Sequence, residues 1–124
     1  MDKNNSITPN SVDGKLRFLG DWMLEKKARD IRLLDVSGLS SVFEGVALVT
    51  VNNVRQAQAL TDNLLHKIKE DGLEYLGMEG YRSGDWILID LNDIIVHIFL
   101  EDTRKFYNLD GFWSGARDIE LDPE

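Results

Sequence analysis

Apolar residues near the start of the chain recur at helical spacing. Val12, Leu16, Leu19 and Met23 share one side of a helix predicted over residues 11–29, and Phe18 and Trp22 widen the stripe. Gly14 weakens its first turn. The period then shortens to two. Residues 31–36 read as a strand, 37–41 as a loop, and 46–51 as a second strand apolar enough to be central. Asn52 and Asn53 offer an N-cap for a helix over 54–71, whose buried side would carry Ala57, Leu60, Thr61, Leu64, Leu65 and Ile68. Gly72 is its C-cap candidate, and a short strand is expected near 73–78.

The densest apolar run is WILIDLNDIIVHIFL, residues 86–100. Asn92-Asp93 divides it into two strands joined by a tight two-residue turn, because both residues tolerate the positive φ such turns need. Counting outward pairs Leu91 with Ile94, Asp90 with Ile95, Ile89 with Val96, Leu88 with His97, Ile87 with Ile98 and Trp86 with Phe99. Cross-strand partners share a face. One face is then wholly aliphatic: Ile87, Ile89, Leu91, Ile94, Val96 and Ile98. The other holds Trp86, Leu88, Asp90, Ile95, His97 and Phe99. A one-residue slip would destroy that separation, which supports the register. The mixed face fits either a helix-covered layer or an exposed binding surface, and alternation does not choose between them.

After the hairpin, Asp102 can cap a helical turn through Tyr107, and residues 110–113 can form another. The expected organisation is a flexible segment over 1–10, one domain over 11–117 and an acidic tail over 118–124 that frays. The fold class is α/β, a single domain with a mixed sheet of about five strands and flanking helices.

Charge sharpens the picture. Residues 1–71 hold ten acids and ten bases, whereas 72–124 hold twelve acids and four bases, so the net charge of −8 arises in the second half. That balance argues against direct, sequence-specific nucleic-acid binding, which needs Lys and Arg along phosphates. It suits a basic protein partner. The absence of cysteine excludes disulfides and thiolate metal sites. No apolar run reaches membrane-spanning length. The N-terminal MDKNNSITPNS has neither a signal-peptide core nor the arginine richness of a transit peptide, so a cytoplasmic bacterial protein is expected.

Catalytic chemistry is hard to assemble from these residues. His66 falls on the polar side of its helix. Asp90 and His97 share a face but are only diagonal neighbours, with no nucleophile beside them. Asp85, Asp90 and Asp93 could gather a divalent cation, but the alternating D-x-D pair of a nucleotide–magnesium site is missing: strand alternation points Asp85 and Asp90 to opposite faces. The loop at 37–41 has one glycine, too few for a phosphate-cradling motif. The reading is therefore a non-enzyme without cofactor or metal.

Several linked motifs carry a family resemblance. LDVSGLSS at 34–41, LGMEG at 76–80, SGDWILID at 83–90, IVHIF at 95–99 and TRKFYNLDGFW at 103–113 occur in order over most of the chain. Together they resemble the ribosomal silencing factor family, also called Iojap-related proteins. The resemblance implies a nucleotidyltransferase-like fold stripped of its catalytic carboxylates. It also implies a function: binding the large ribosomal subunit through its protein fourteen, a basic ribosomal protein, so that the small subunit cannot join and translation is repressed. A homodimer is a further implied state. On this view Trp86 anchors a docking surface, Ile95 and Phe99 surround it, and Asp90 and Asp93 meet basic side chains. Tyr107 and Leu109 extend the patch, and His97 either contributes or orders the sheet. Two alternatives are a large-subunit assembly factor and a nucleotidyltransferase-type enzyme. The stretch from Val51 to Gln56 departs from the family's usual Thr-Gly turn, and Asn92-Asp93 replaces its commoner Gly-Asp.

Overall fold

The computed structural model describes residues 11–121. The expected flexible segment at 1–10 and the last three residues lie outside them. In chain order the elements are α1 (Val12–Glu25), β1 (Arg29–Asp35), β2 (Gly45–Val51), α2 (Val54–Glu70), β3 (Gly77–Glu79), β4 (Trp86–Asp90), β5 (Ile94–Leu100), α3 (Glu101–Tyr107), α4 (Leu109–Phe112) and β6 (Arg117–Ile119). Six strands form one sheet in the order β3-β4-β5-β2-β1-β6. β2 and β5 run parallel at its centre and the remaining pairs are antiparallel.

The helices start where the sequence supplies caps. Ser11 accepts from the Gly14 amide and opens α1. Asn53 accepts from the Gln56 amide and opens α2, while the Gln56 side chain accepts from the Asn52 amide in return. Gly72 at φ 72° terminates α2 in the left-handed region. α1 ends at Glu25 rather than at the predicted residue 29, because Lys27 adopts positive φ and turns the chain toward β1, where Asp30 at φ 50° marks a break in register. Asp102 does not cap α3, whose N-cap is Leu100 without a side-chain bond. Asn108 instead ends α3 in the left-handed region and caps α4 through the Gly111 amide.

The hairpin pairs as counting predicts, from Trp86 opposite Phe99 to Asp90 opposite Ile95. Asn92 takes φ 79°, and the Leu91 amide donates to the Ile94 carbonyl across the turn. The Asp93 carbonyl accepts from the amides of Glu44 and Gly45, tying the turn to the start of β2.

The aliphatic face packs under α1 and α2. Ile87, Ile89, Leu91, Ile94, Val96 and Ile98 join Leu16, Leu19, Met23, Ala57, Leu60, Leu64 and Ile68 in one buried cluster. Burial of aliphatic side chains at about 25 cal/mol per Å² makes this layer the main source of stability. A smaller cluster on the other face gathers Leu34, Val36, Val46, Leu48, Phe99 and Trp113.

Two expectations need correcting. The sheet has a sixth strand where fraying was expected: β6 pairs with β1, buries Ile119, and Leu121 packs beneath it. Arg117 clamps this edge by donating to both Asp35 and Asp13. Hydrogen bonds from the hydroxyl and amide of Ser37, reinforced by Arg117, hold the Asp35 carboxyl down at about 2. The domain therefore continues past residue 117. The short third strand also lies later, at Gly77–Glu79 rather than 73–78.

Candidate partner-docking face

The mixed face of the sheet is half covered, and the boundary runs through the hairpin. α3 and α4 close over its β2 side. Phe99 is fully buried, with the Arg104 guanidinium 5.6 Å above its ring. Arg104 is itself buried and fully engaged. It donates to both carboxylate oxygens of Asp110, to the Asp30 carbonyl and to the Thr50 hydroxyl. These bonds hold the Asp110 carboxyl below the ordinary carboxylate range, and Arg32 adds to the effect. The fork thus fastens the α3–α4 corner to the sheet.

On the β4 side the cover stops. Trp86, Leu88 and Asp90 remain partly exposed, and next to them stand Tyr107 and Phe106, the latter 80% exposed. Trp86 is the hub of an aromatic group. Its ring lies 4.8 Å from Tyr107 and 5.9 Å from both His97 and Phe99. Its indole N–H donates to Nδ1 of His97 at 3.0 Å. Burial pushes the His97 imidazole down to about 4, so it is neutral at physiological pH and able to accept that bond. Among the described residues His97 makes no ion pair; its part is to fix the orientation of Trp86.

The residues singled out from sequence divide accordingly. Trp86, His97, Phe99 and Tyr107 come together. Ile95 lies on the same face but is buried, as is Phe99, so neither is an exposed surround: flanking β2 supplies Val46 and Thr50 beside them. Leu109 packs half-buried against the Trp113 cluster rather than extending an open patch. Asp90, half-buried, accepts from the Asn92 amide. Asp93 is separated from the group, because Lys15 on α1 takes its carboxylate at 2.6 Å.

Asp85 continues the β4–β5 pairing by one residue, its carbonyl accepting from the Leu100 amide, and it lies exposed beside the cleft that Trp86 and Leu88 line. Glu79 lines this cleft and Phe106 stands exposed against Tyr107; neither was anticipated. The hint for Phe106 was its place beside Tyr107 on a helix too short to bury both rings. Among the described residues no group of three or more His, Asp or Glu is placed to hold a metal ion, and no helix is long and apolar enough to cross a membrane. His66 is exposed beside Glu70 on α2.

Comparison with known proteins places this architecture. A family model described as "Ribosomal silencing factor during starvation" matches residues 9–124. A protein of Chromobacterium violaceum named ribosomal silencing factor RsfS is 37% identical over 91 residues, 73% of this chain and 75% of its own. The Bacillus subtilis protein of that name is 36% identical over 98 residues, 79% of this chain and 83% of its own. A crystal structure of a Chromobacterium violaceum protein superposes with a TM-score of 0.75 at 32% identity, covering 90% of this chain and 91% of that one.

Proposed function

Because the chain belongs to the ribosomal silencing factor family, we propose that it represses translation in the cytoplasm by occupying the large ribosomal subunit. The contact is with a basic ribosomal protein, large-subunit protein fourteen, and the bound chain stands where the small subunit would join. The action is steric and needs no catalysis.

The observation that supports this reading is the half-open aromatic face. A tryptophan oriented by a buried histidine and packed at a tilt on a tyrosine, which in turn meets an exposed phenylalanine, has the composition of an interface centre. Acids around it, Glu79, Asp85 and Asp90, match a basic partner in sign. The α3–α4 corner, fastened by Arg104, holds Tyr107 in place before any partner arrives, which lowers the ordering cost of binding.

The experiment is subunit joining with purified ribosomal subunits, followed by light scattering, with and without the protein. Added protein should reduce the joined population in proportion to its occupancy of large subunits, and should sediment with free large subunits but not with joined ribosomes. Unimpaired joining at saturating occupancy would refute the steric block.

A further inference from the structure

Between the β3–β4 turn and α3 lies a cleft of about 360 Å³, walled by Trp86, Tyr107, Leu88 and Thr103, with Glu79 and Asp85 at its sides. Its construction is specific. Gly80, at φ 85°, lets the turn press against β4 so closely that a Cβ there would lie 2.1 Å from the Trp86 carbonyl oxygen. The indole N–H is spent on His97, so Trp86 offers the cleft only its π surface and apolar edge. Leu88 and the Tyr107 ring add apolar wall.

The two carboxylates differ from the acids that the fold itself neutralises. Asp13, Asp35, Asp93, Asp110 and Asp118 are each engaged by a lysine or arginine. Glu79 and Asp85 are exposed and have no cationic or hydrogen-bonding side-chain partner among the described residues, although Arg82 sits in the same turn. Two unneutralised carboxylates flanking an aromatic and aliphatic slot describe the complement of one kind of group: a long apolar stem ending in a cation. A lysine or arginine fits the stem along Leu88 and Tyr107 and the head between the acids, over the Trp86 face.

We propose that this cleft receives a single long cationic side chain projecting from the partner on the large subunit. The inference rests on the docking function above and adds the element that gives it selectivity: apolar contact alone would tolerate many surfaces, whereas a cation seated between two acids fixes register.

The test uses the full chain and purified large subunits, with association and dissociation rates measured separately. The double variant Glu79→Gln, Asp85→Asn keeps shape and removes both charges. It should weaken binding about tenfold or more, mostly through faster dissociation, because a seated charge pair acts on the off-rate. The matched control Glu25→Gln, Glu120→Gln removes the same charge from exposed positions away from the cleft and should leave dissociation unchanged. Thr103→Lys places the chain's own cation in the cleft and should weaken binding comparably. Wild-type dissociation from either cleft variant, or a loss confined to the on-rate, would overturn the proposal. Trp86→Ala separates the two readings. If it weakens binding while the acid variant does not, only the cleft assignment falls. If neither weakens binding, the docking face falls with it.

Discussion

The indole N–H of Trp86 donates to Nδ1 of His97, one strand over and two residues along, at 3.0 Å. The bond can form only when Nδ1 is unprotonated, which places the imidazole's single proton on Nε2. A buried histidine therefore sets the pose of the residue proposed to anchor the partner.

Removing the donor alone tests that relationship. Trp86→Phe keeps a ring against Tyr107 but leaves the His97 acceptor without its partner in a buried position. The variant should lose about 1–3 kcal/mol of stability, measured by chemical denaturation. An unchanged midpoint would mean that water replaces the indole without cost.

Burial of His97 gives the fold a pH dependence. His97 ordinarily titrates near 6.5 but is held to about 4 in the fold by burial, so the unfolded chain binds the proton more readily. Its contribution is therefore complete above about pH 6.5 and disappears as pH falls toward 4, to a total of about 3 kcal/mol. The Asp35 carboxyl, held at about 2, loses its contribution below this window. Denaturation midpoints measured from pH 7.5 to 4 should fall in the wild type and flatten in His97→Gln.

Truncating the hub should cost binding as well as stability. Trp86→Ala should weaken large-subunit affinity by roughly 2 kcal/mol, about thirtyfold, the scale of an aromatic hot spot. Tyr107→Ala should follow in the same direction with a smaller loss. A folded Trp86→Ala protein with wild-type affinity would remove this face from consideration.

Arg104 supplies a stability test on the covered half. Arg104→Lys keeps the charge but not the planar fork that spans Asp110, the Asp30 carbonyl and Thr50. We expect a loss of about 2–4 kcal/mol, because the buried partners are left partly unsatisfied. If α3 then loosens, affinity for large subunits should drop as well, through displacement of Tyr107.

Nucleotide turnover is not expected of this fold. The purified protein, incubated with nucleoside triphosphates and magnesium, should give no hydrolysis or transfer. Turnover abolished by Asp85→Asn or Asp90→Asn would reverse the non-enzyme reading.

Local patterns carried much of this structure. The hairpin register followed from counting outward from Asn92-Asp93, since a period of two admits one pairing that keeps Ile87, Ile89, Val96 and Ile98 together. Asn53 announced α2 because capping is decided within four residues. What escaped depends on partners distant in sequence. β6 is three residues amid acids, and Arg117 holds it to Asp35, 82 residues away. Asp93 resembled a free acid until Lys15, 78 residues earlier, took it. Phe99 lost its expected exposure because Arg104 folds back over its ring.

Both outer strands of the sheet, β3 and β6, are only three residues long. A sheet margin that short offers an incoming chain almost no ladder of free amides and carbonyls to continue. Recruitment by strand addition is therefore disfavoured along β3 and β6, which also blunts edge-to-edge aggregation there. Recognition through side chains standing up from the face selects a partner by its chemistry and shape rather than by backbone pairing, which any extended peptide could supply.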